Sequence, residues 1–130
     1  MKIIEISINT HGVTKKATIE CDRQKRTLTF IMENGLRRTY TGHDLYACLG
    51  LLRADFPEVK FLCKGAKLNV YPSRMSSQMS GGVVAYELQM GKPAENEDVV
   101  NIFDFEENDI THDIQQQRDF YNHWITSLAE

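Results

Sequence analysis

The side chains that could do chemistry in this chain of 130 residues are four histidines, three cysteines, a serine-rich turn and one dense run of carboxylates. His11, His43, His112 and His123 stand outside HExxH, HxH and Cys/His spacings, so a zinc site would have to be assembled wholly by tertiary contact. His43-Asp44 and His112-Asp113 are adjacent pairs, and neighbours on a helix or strand do not face each other, so they read as cap and surface residues. Cys21, Cys48 and Cys63 are widely spaced on apolar faces, the pattern of reduced, buried thiols rather than of a disulfide framework. GxSxG, Walker and GxGxxG patterns are absent from the sequence, and the carboxylates between Glu95 and Asp113 have no apolar surroundings to raise one pKa for acid catalysis. The expectation is a chain with no catalytic residues, no metal and no cofactor.

The run Asp104 to Asp113, DFEENDITHD, holds Asp104, Glu106, Glu107, Asp109 and Asp113, five carboxylates in ten residues. It sits in an uneven charge distribution. Residues 1 to 84 carry 13 Lys/Arg against 7 Asp/Glu, whereas residues 85 to 130 carry 2 against 11. Such asymmetry points to an electrostatic partner. A basic protein fits better than a nucleic acid, because the acidic third repels a phosphate backbone and the basic residues from Lys15 to Arg38 lack a reading motif. These five carboxylates are therefore the candidate partner contacts.

The second candidate is the stretch from Ser73 to Gly82. Pro72 blocks continuation of the preceding strand, Ser73 is placed to cap a short helix, and Met75 and Met79, four apart, are expected to make core contacts from one helix face. Gly81 or Gly82 ends the helix. A Ser- and Gly-rich helix start could hold an anion, but a cap with a methionine core contact accounts for the same residues.

The elements that must position these groups can be read from periodicity. Lys2 to Asn9, with Ile4, Ile6 and Ile8 on one side, Lys15 to Cys21, the run with Leu28, Phe30 and Met32, and Leu36 to Tyr40 predict an antiparallel meander with one apolar face. Asn34-Gly35 predicts a two-residue type I′ hairpin. Thr41 to Asp44 has capping-box spacing, followed by Leu45, Cys48, Leu49, Leu52 and Phe56 at helical spacing and closed by Pro57. Short strands are expected at Val59 to Cys63 and Ala66 to Tyr71, then a half-buried strand carrying Val84, Tyr86, Leu88 and Met90, and an edge strand within Val99 to Phe105. A terminal helix capped by Asp109 or Thr111 has the stripe Ile114, Tyr121, Trp124, Ile125 and Leu128, with Gln115, Gln116, Gln117, Arg118 and Asn122 on its other faces. Together these predict one α+β domain over residues 1 to 130, a mainly antiparallel sheet packed by a central and a C-terminal helix. No window has the length and apolarity of a membrane span or signal peptide, and the expected location is the cytoplasm.

The stretch CKGAKLNVYPSRMSSQMSGGVVAYELQMGKP, the following VVNIFDFE and the preceding helix DLYACLGLLR resemble a family of small bacterial proteins encoded beside polymorphic toxins, the immunity proteins of contact-dependent growth-inhibition systems. The resemblance spans roughly residues 43 to 106. It implies a cytoplasmic, non-catalytic protein that binds and blocks the toxin domain of its own system. Many such domains are nucleases with basic clefts, which an acidic third could occupy as a nucleic acid would. Two other functions remain open on the residues alone, a small-molecule or anion-binding domain using the Ser73 to Gly82 turn, and an enzyme whose site is assembled from distant residues.

Overall fold

A computed structural model describes residues 1–129. The first four strands, β1 (Lys2–Thr10), β2 (Val13–Asp22), β3 (Thr27–Ile31) and β4 (Arg37–Thr41), form the expected meander, and β5 (Val59–Phe61) adds to the free side of β1. The resulting antiparallel sheet has the order β4-β3-β2-β1-β5 and turns Ile6, Ile8, Ala17, Ile19, Cys21, Leu28 and Phe30 to one side. Helix α1 (Leu45–Asp55) lies across that side and contributes Leu45, Cys48, Leu49 and Leu52 to the same core. It stops where it should. Pro57 disfavours helical backbone at the residue before it, and Phe56 leaves the helix at φ −127°, ψ 66° with its ring edge-on to Phe30.

Three local expectations are corrected. The β3–β4 connection is a three-residue loop, Glu33-Asn34-Gly35, closed by the Met32 amide on Leu36 O at 3.0 Å and the Gly35 amide on Met32 O at 2.9 Å. Only its Gly35 has positive φ, 85°, whereas a type I′ turn needs two such residues. Thr41 ends β4 and does not cap. The N-cap of α1 is Asp44, whose Oδ1 accepts from the Ala47 amide at 2.7 Å. At the C-terminal helix α3 (Ile114–Leu128) the cap is Asp113 rather than Asp109 or Thr111, accepting from the Gln115 amide at 2.9 Å.

A second, smaller antiparallel sheet, β6 (Val70–Tyr71), β7 (Val84–Glu87) and β8 (Val99–Asn101), packs Val70 and Ala85 inward. The expected strands at Val59 to Cys63 and Ala66 to Tyr71 are shorter, because Lys64–Ala66 is a single 3-10 turn. Of the residues expected inward in β7, Leu88, just past the strand, is buried, whereas Val84 and Tyr86 are half-buried on the outward side, Met90 is on the surface, and Ala85 is buried in their place. The architecture is α+β, with two antiparallel sheets and three α-helices among the described residues. Among these residues no helix is long and apolar enough to cross a membrane.

Candidate functional site

The acidic run 104–113 is irregular in secondary structure but held by backbone at close intervals. Asp104 O accepts from the Lys64 amide, the Glu106 amide donates to Leu62 O, Asp109 O accepts from the Leu68 amide, and the Thr111 amide donates to Ala66 O, all at 2.8 to 3.2 Å. Beneath it lies Arg53 of α1, fully buried. Its guanidinium donates to Thr111 O through Nε and Nη2 at 3.1 and 2.6 Å, and through Nη1 to Gly65 O at 3.3 Å and Gln117 Oε1 at 2.9 Å. The Gln117 amide group donates in turn to Gly65 O and Lys67 O at 2.9 and 2.8 Å. Burial pushes the Arg53 pKa down, against the opposing fields of Tyr46, Cys63 and Asp113. One planar donor fork therefore joins α1, the Lys64–Ala66 turn, the acidic loop and α3. Gln117, expected on a solvent face of α3, is buried as part of this network.

The five candidate carboxylates divide. Asp104, Glu107, Asp109 and Asp113 are exposed, Asp113 also serving as the helix cap. Glu106 is turned inward, with 8% of its surface accessible, and is corrected from partner contact to internal anchor. Its Oε1 lies 2.9 Å from Lys64 Nζ and 3.0 Å from Lys67 Nζ, and its Oε2 accepts from the Glu107 and Asn108 amides at 3.0 and 2.9 Å. Glu87 completes the cluster, 2.5 Å from Lys67 Nζ. Desolvation works to raise the Glu106 pKa, but the Asn108 amide and the two ammonium groups outweigh it and hold the carboxyl at about 2.

A folded-state pKa below the unfolded value of about 4.3 makes this contribution complete above about pH 5, lost progressively as the pH falls toward 2. Glu106→Gln should therefore cost about 1 to 3 kcal/mol at pH 7 and flatten the acid limb between about pH 5 and 2. Urea unfolding of both proteins across that range measures it. Parallel pH profiles would show that Glu106 is not anchored by its charge.

The Ser73 segment folds as a short helix, α2 (Arg74–Ser80), with the Ser73 hydroxyl accepting from the Ser76 amide at 3.0 Å and Gly81 ending it at φ 67°. Asp44 binds α2 to α1. Its Oδ2 accepts from the Ser77 hydroxyl at 2.5 Å, and the Leu45 amide donates to Gly81 O at 2.6 Å. The expected methionine core contact is overturned, since Met75 is 69% and Met79 77% exposed. All seven residues of α2 are exposed or half-buried, because backbone and hydroxyl bonds at its two ends hold the helix and leave its side chains outside. Beside it an open cleft of about 430 Å³ is lined by Arg26, His43, Arg74, Ser77, Tyr71 and Tyr121, among others.

The remaining candidates are placed as follows. All four histidines are exposed, with His43 Nε2 3.8 Å from Asp44 Oδ2. The three cysteines are free and buried, and burial pushes the Cys48 and Cys63 thiols up to about 11 and 12. Among the described residues, no group of three or more His, Cys, Asp or Glu is disposed to hold a metal ion. On α3, Ile114 packs into the core against Gly50 and Tyr121 stacks on Tyr71 with centroids 4.3 Å apart, but Ile125 and Leu128 of the expected stripe are 46% and 38% exposed. No protein-family model matches the chain, and no curated protein matches it.

Proposed function

We propose that this chain is a non-catalytic immunity protein that acts in the cytoplasm by binding a basic toxin domain, a nuclease, and occluding its active-site cleft. The observation that supports this reading best is the construction of the acidic loop. Main-chain bonds to 62–68, the Arg53 fork and the inward Glu106 fix its backbone, so Asp104, Glu107, Asp109 and Asp113 are presented to solvent on a frame that is already ordered. Binding then avoids most of the entropy cost of arranging a charged loop, and the exposed carboxylates steer a basic partner into encounter.

The test is association with the C-terminal domain of any large secreted toxin found encoded beside this chain, for wild type and for a variant carrying Asp104→Asn, Glu107→Gln, Asp109→Asn and Asp113→Asn. Asparagine keeps the α3 cap, and Glu106 is left in place so that the loop stays anchored. The association rate of the variant is expected to fall about tenfold or more at low salt. That of wild type should converge on it as the Debye length shrinks from about 10 Å at 0.1 M to about 3 Å at 1 M. Equal rates at all salt concentrations, with equal protection of growing cells, would remove the electrostatic basis of the reading.

The cleft beside Ser73, lined by Arg26 and Arg74 as well as by the Asp44 carboxylate, supports a second reading, a domain that holds a small anion against these two arginines. Its signature is a rise in melting temperature with inorganic pyrophosphate that disappears in Arg26→Ala and Arg74→Ala. A melt insensitive to pyrophosphate in wild type would dispose of it.

A further inference from the structure

We infer that the outward face of β7 and β8, with α2 beside it and clear of the β6 end where Tyr121 of α3 covers Tyr71, is the apolar centre of the interface, and that it receives a nonpolar side chain of the basic partner while carboxylates at its two ends receive that partner's lysines or arginines. This rests on the immunity reading and names the face that would carry it. Register and continuity of the chain supply the geometry. Val84 and Tyr86 of β7 point away from the core, and Val99 of β8 pairs directly with Tyr86, so its side chain stands on the same face and is 40% exposed. The Met75 and Met79 side chains close one edge and form with Val84 and Tyr86 a groove of about 250 Å³. Exposed methionines flanked by a tyrosine and β-branched residues make an adaptable apolar surface of the kind that partners anchor on.

Charge selects the occupant. Glu97 and Asp98 precede Val99 in a 3-10 turn, and Asp104 follows Asn101 by three residues. Acid therefore brackets the strip. Six residues of chain span at most about 20 Å, so both acidic ends and the apolar strip fit within one interface patch of about 800 Å² per partner. Lys92 Nζ lies 3.8 Å from Glu97 Oε1 and Arg74 stands next to Met75 on α2, so the rim is mixed but mainly acidic, and an apolar centre inside it is the complement of a basic protein that carries an exposed nonpolar anchor. The acidic loop 104–113 extends the rim beyond Asp104.

The two parts of this surface have separable kinetic signatures, because rim charges govern association and buried anchors govern dissociation. Met75→Gln with Met79→Gln replaces two exposed side chains by polar ones of similar length, and the melting temperature is expected to stay within a degree or two of wild type. Affinity for the adjacent toxin domain should fall about 100-fold, nearly all of it in the dissociation rate. Val99→Thr, at the exposed strand, should act in the same direction more weakly. If wild type binds and the methionine variant binds within threefold of it, the face is not the interface and the inference fails while the immunity reading stands. If wild type does not bind the toxin domain, both fail. Sedimentation of the free protein decides the remaining case, since a wild-type dimer converted to monomer by the two glutamines would assign the face to a second copy of this chain and overturn the inference.

Discussion

Arg53→Met is expected to lower the unfolding free energy by about 2 to 5 kcal/mol, the cost of leaving two buried acceptors without a donor. The native guanidinium satisfies Thr111 O twice, Gly65 O and Gln117 Oε1. Methionine fills similar volume but donates to none of them. Gly65 O keeps the Gln117 amide, whereas Thr111 O and Gln117 Oε1 lose their donor inside the protein, and each buried acceptor left unmatched costs about 1 to 3 kcal/mol. Relief of the guanidinium's own desolvation offsets part of this. Against a total stability of about 5 to 15 kcal/mol the loss is large. Arg53→Lys should recover little, because an ammonium cannot reproduce a planar fork that reaches three elements at once. Equilibrium urea unfolding measures both. A methionine variant within about half a kcal/mol of wild type would mean that desolvation cancels the bonds, and the acidic loop would then have to be held by its main-chain contacts alone.

Gly82→Ala is expected to cost about 3 to 5 kcal/mol, by a different route. Gly82 has φ 83°, a conformation that costs a residue with a side chain about 1 to 3 kcal/mol. A Cβ there would sit 2.7 Å from Asp44 Cγ and 2.8 Å from Asp44 Cβ. Asp44 is fully buried and cannot retreat without giving up the Ala47 amide or the Ser77 hydroxyl, and loss of an N-cap alone is worth about 0.5 to 2 kcal/mol. Gly81→Ala is the control. Gly81 also has positive φ, 67°, but its nearest prospective contact is Arg23 O at 3.2 Å, a milder crowding, so it should cost about 1 to 2 kcal/mol, mostly the left-handed backbone. Thermal unfolding of the two variants compares them. Equal losses would show that the Asp44 contact adds nothing to the backbone effect.

Both positions bear on how the candidate surface is held. Arg53 lies under the acidic loop, and Gly82 with Asp44 sets the seat of α2, so each variant should also weaken partner binding in proportion to the structure it loosens. The methionine and carboxylate variants act at the surface without that loss of stability, which separates contact from support.

Much of this molecule was legible in the residues themselves. Alternation in the first forty residues gave the meander because one face of a sheet is buried and the side-chain period is two. The spacing of Leu45, Cys48, Leu49 and Leu52 gave α1 because its apolar stripe has to cover that face. Pro57, Pro72, Ser73 and Gly81 marked element ends because their backbone and capping chemistry acts within a turn. Where the reading of a candidate site residue failed, the deciding partner was remote in sequence. Two methionines on a seven-residue helix define a stripe but not whether anything lies beneath it, and the seating of α2 by Asp44 and Gly81 turned them outward. Glu106 is indistinguishable in sequence from Glu107, and only the approach of Lys64 and Lys67 made it an anchor. Gln117 reads as a solvent-facing polar residue until α3, the Lys64–Ala66 turn and Arg53 of α1 are brought together around it. Local periodicity determined which elements form and, in the meander and α1, which face is apolar, because those depend on bonds and neighbours a few residues apart. Which polar groups are spent inside and which are offered to a partner was decided by tertiary structure alone, because burial of a charge is set by the opposite charges and carbonyls that the fold places against it.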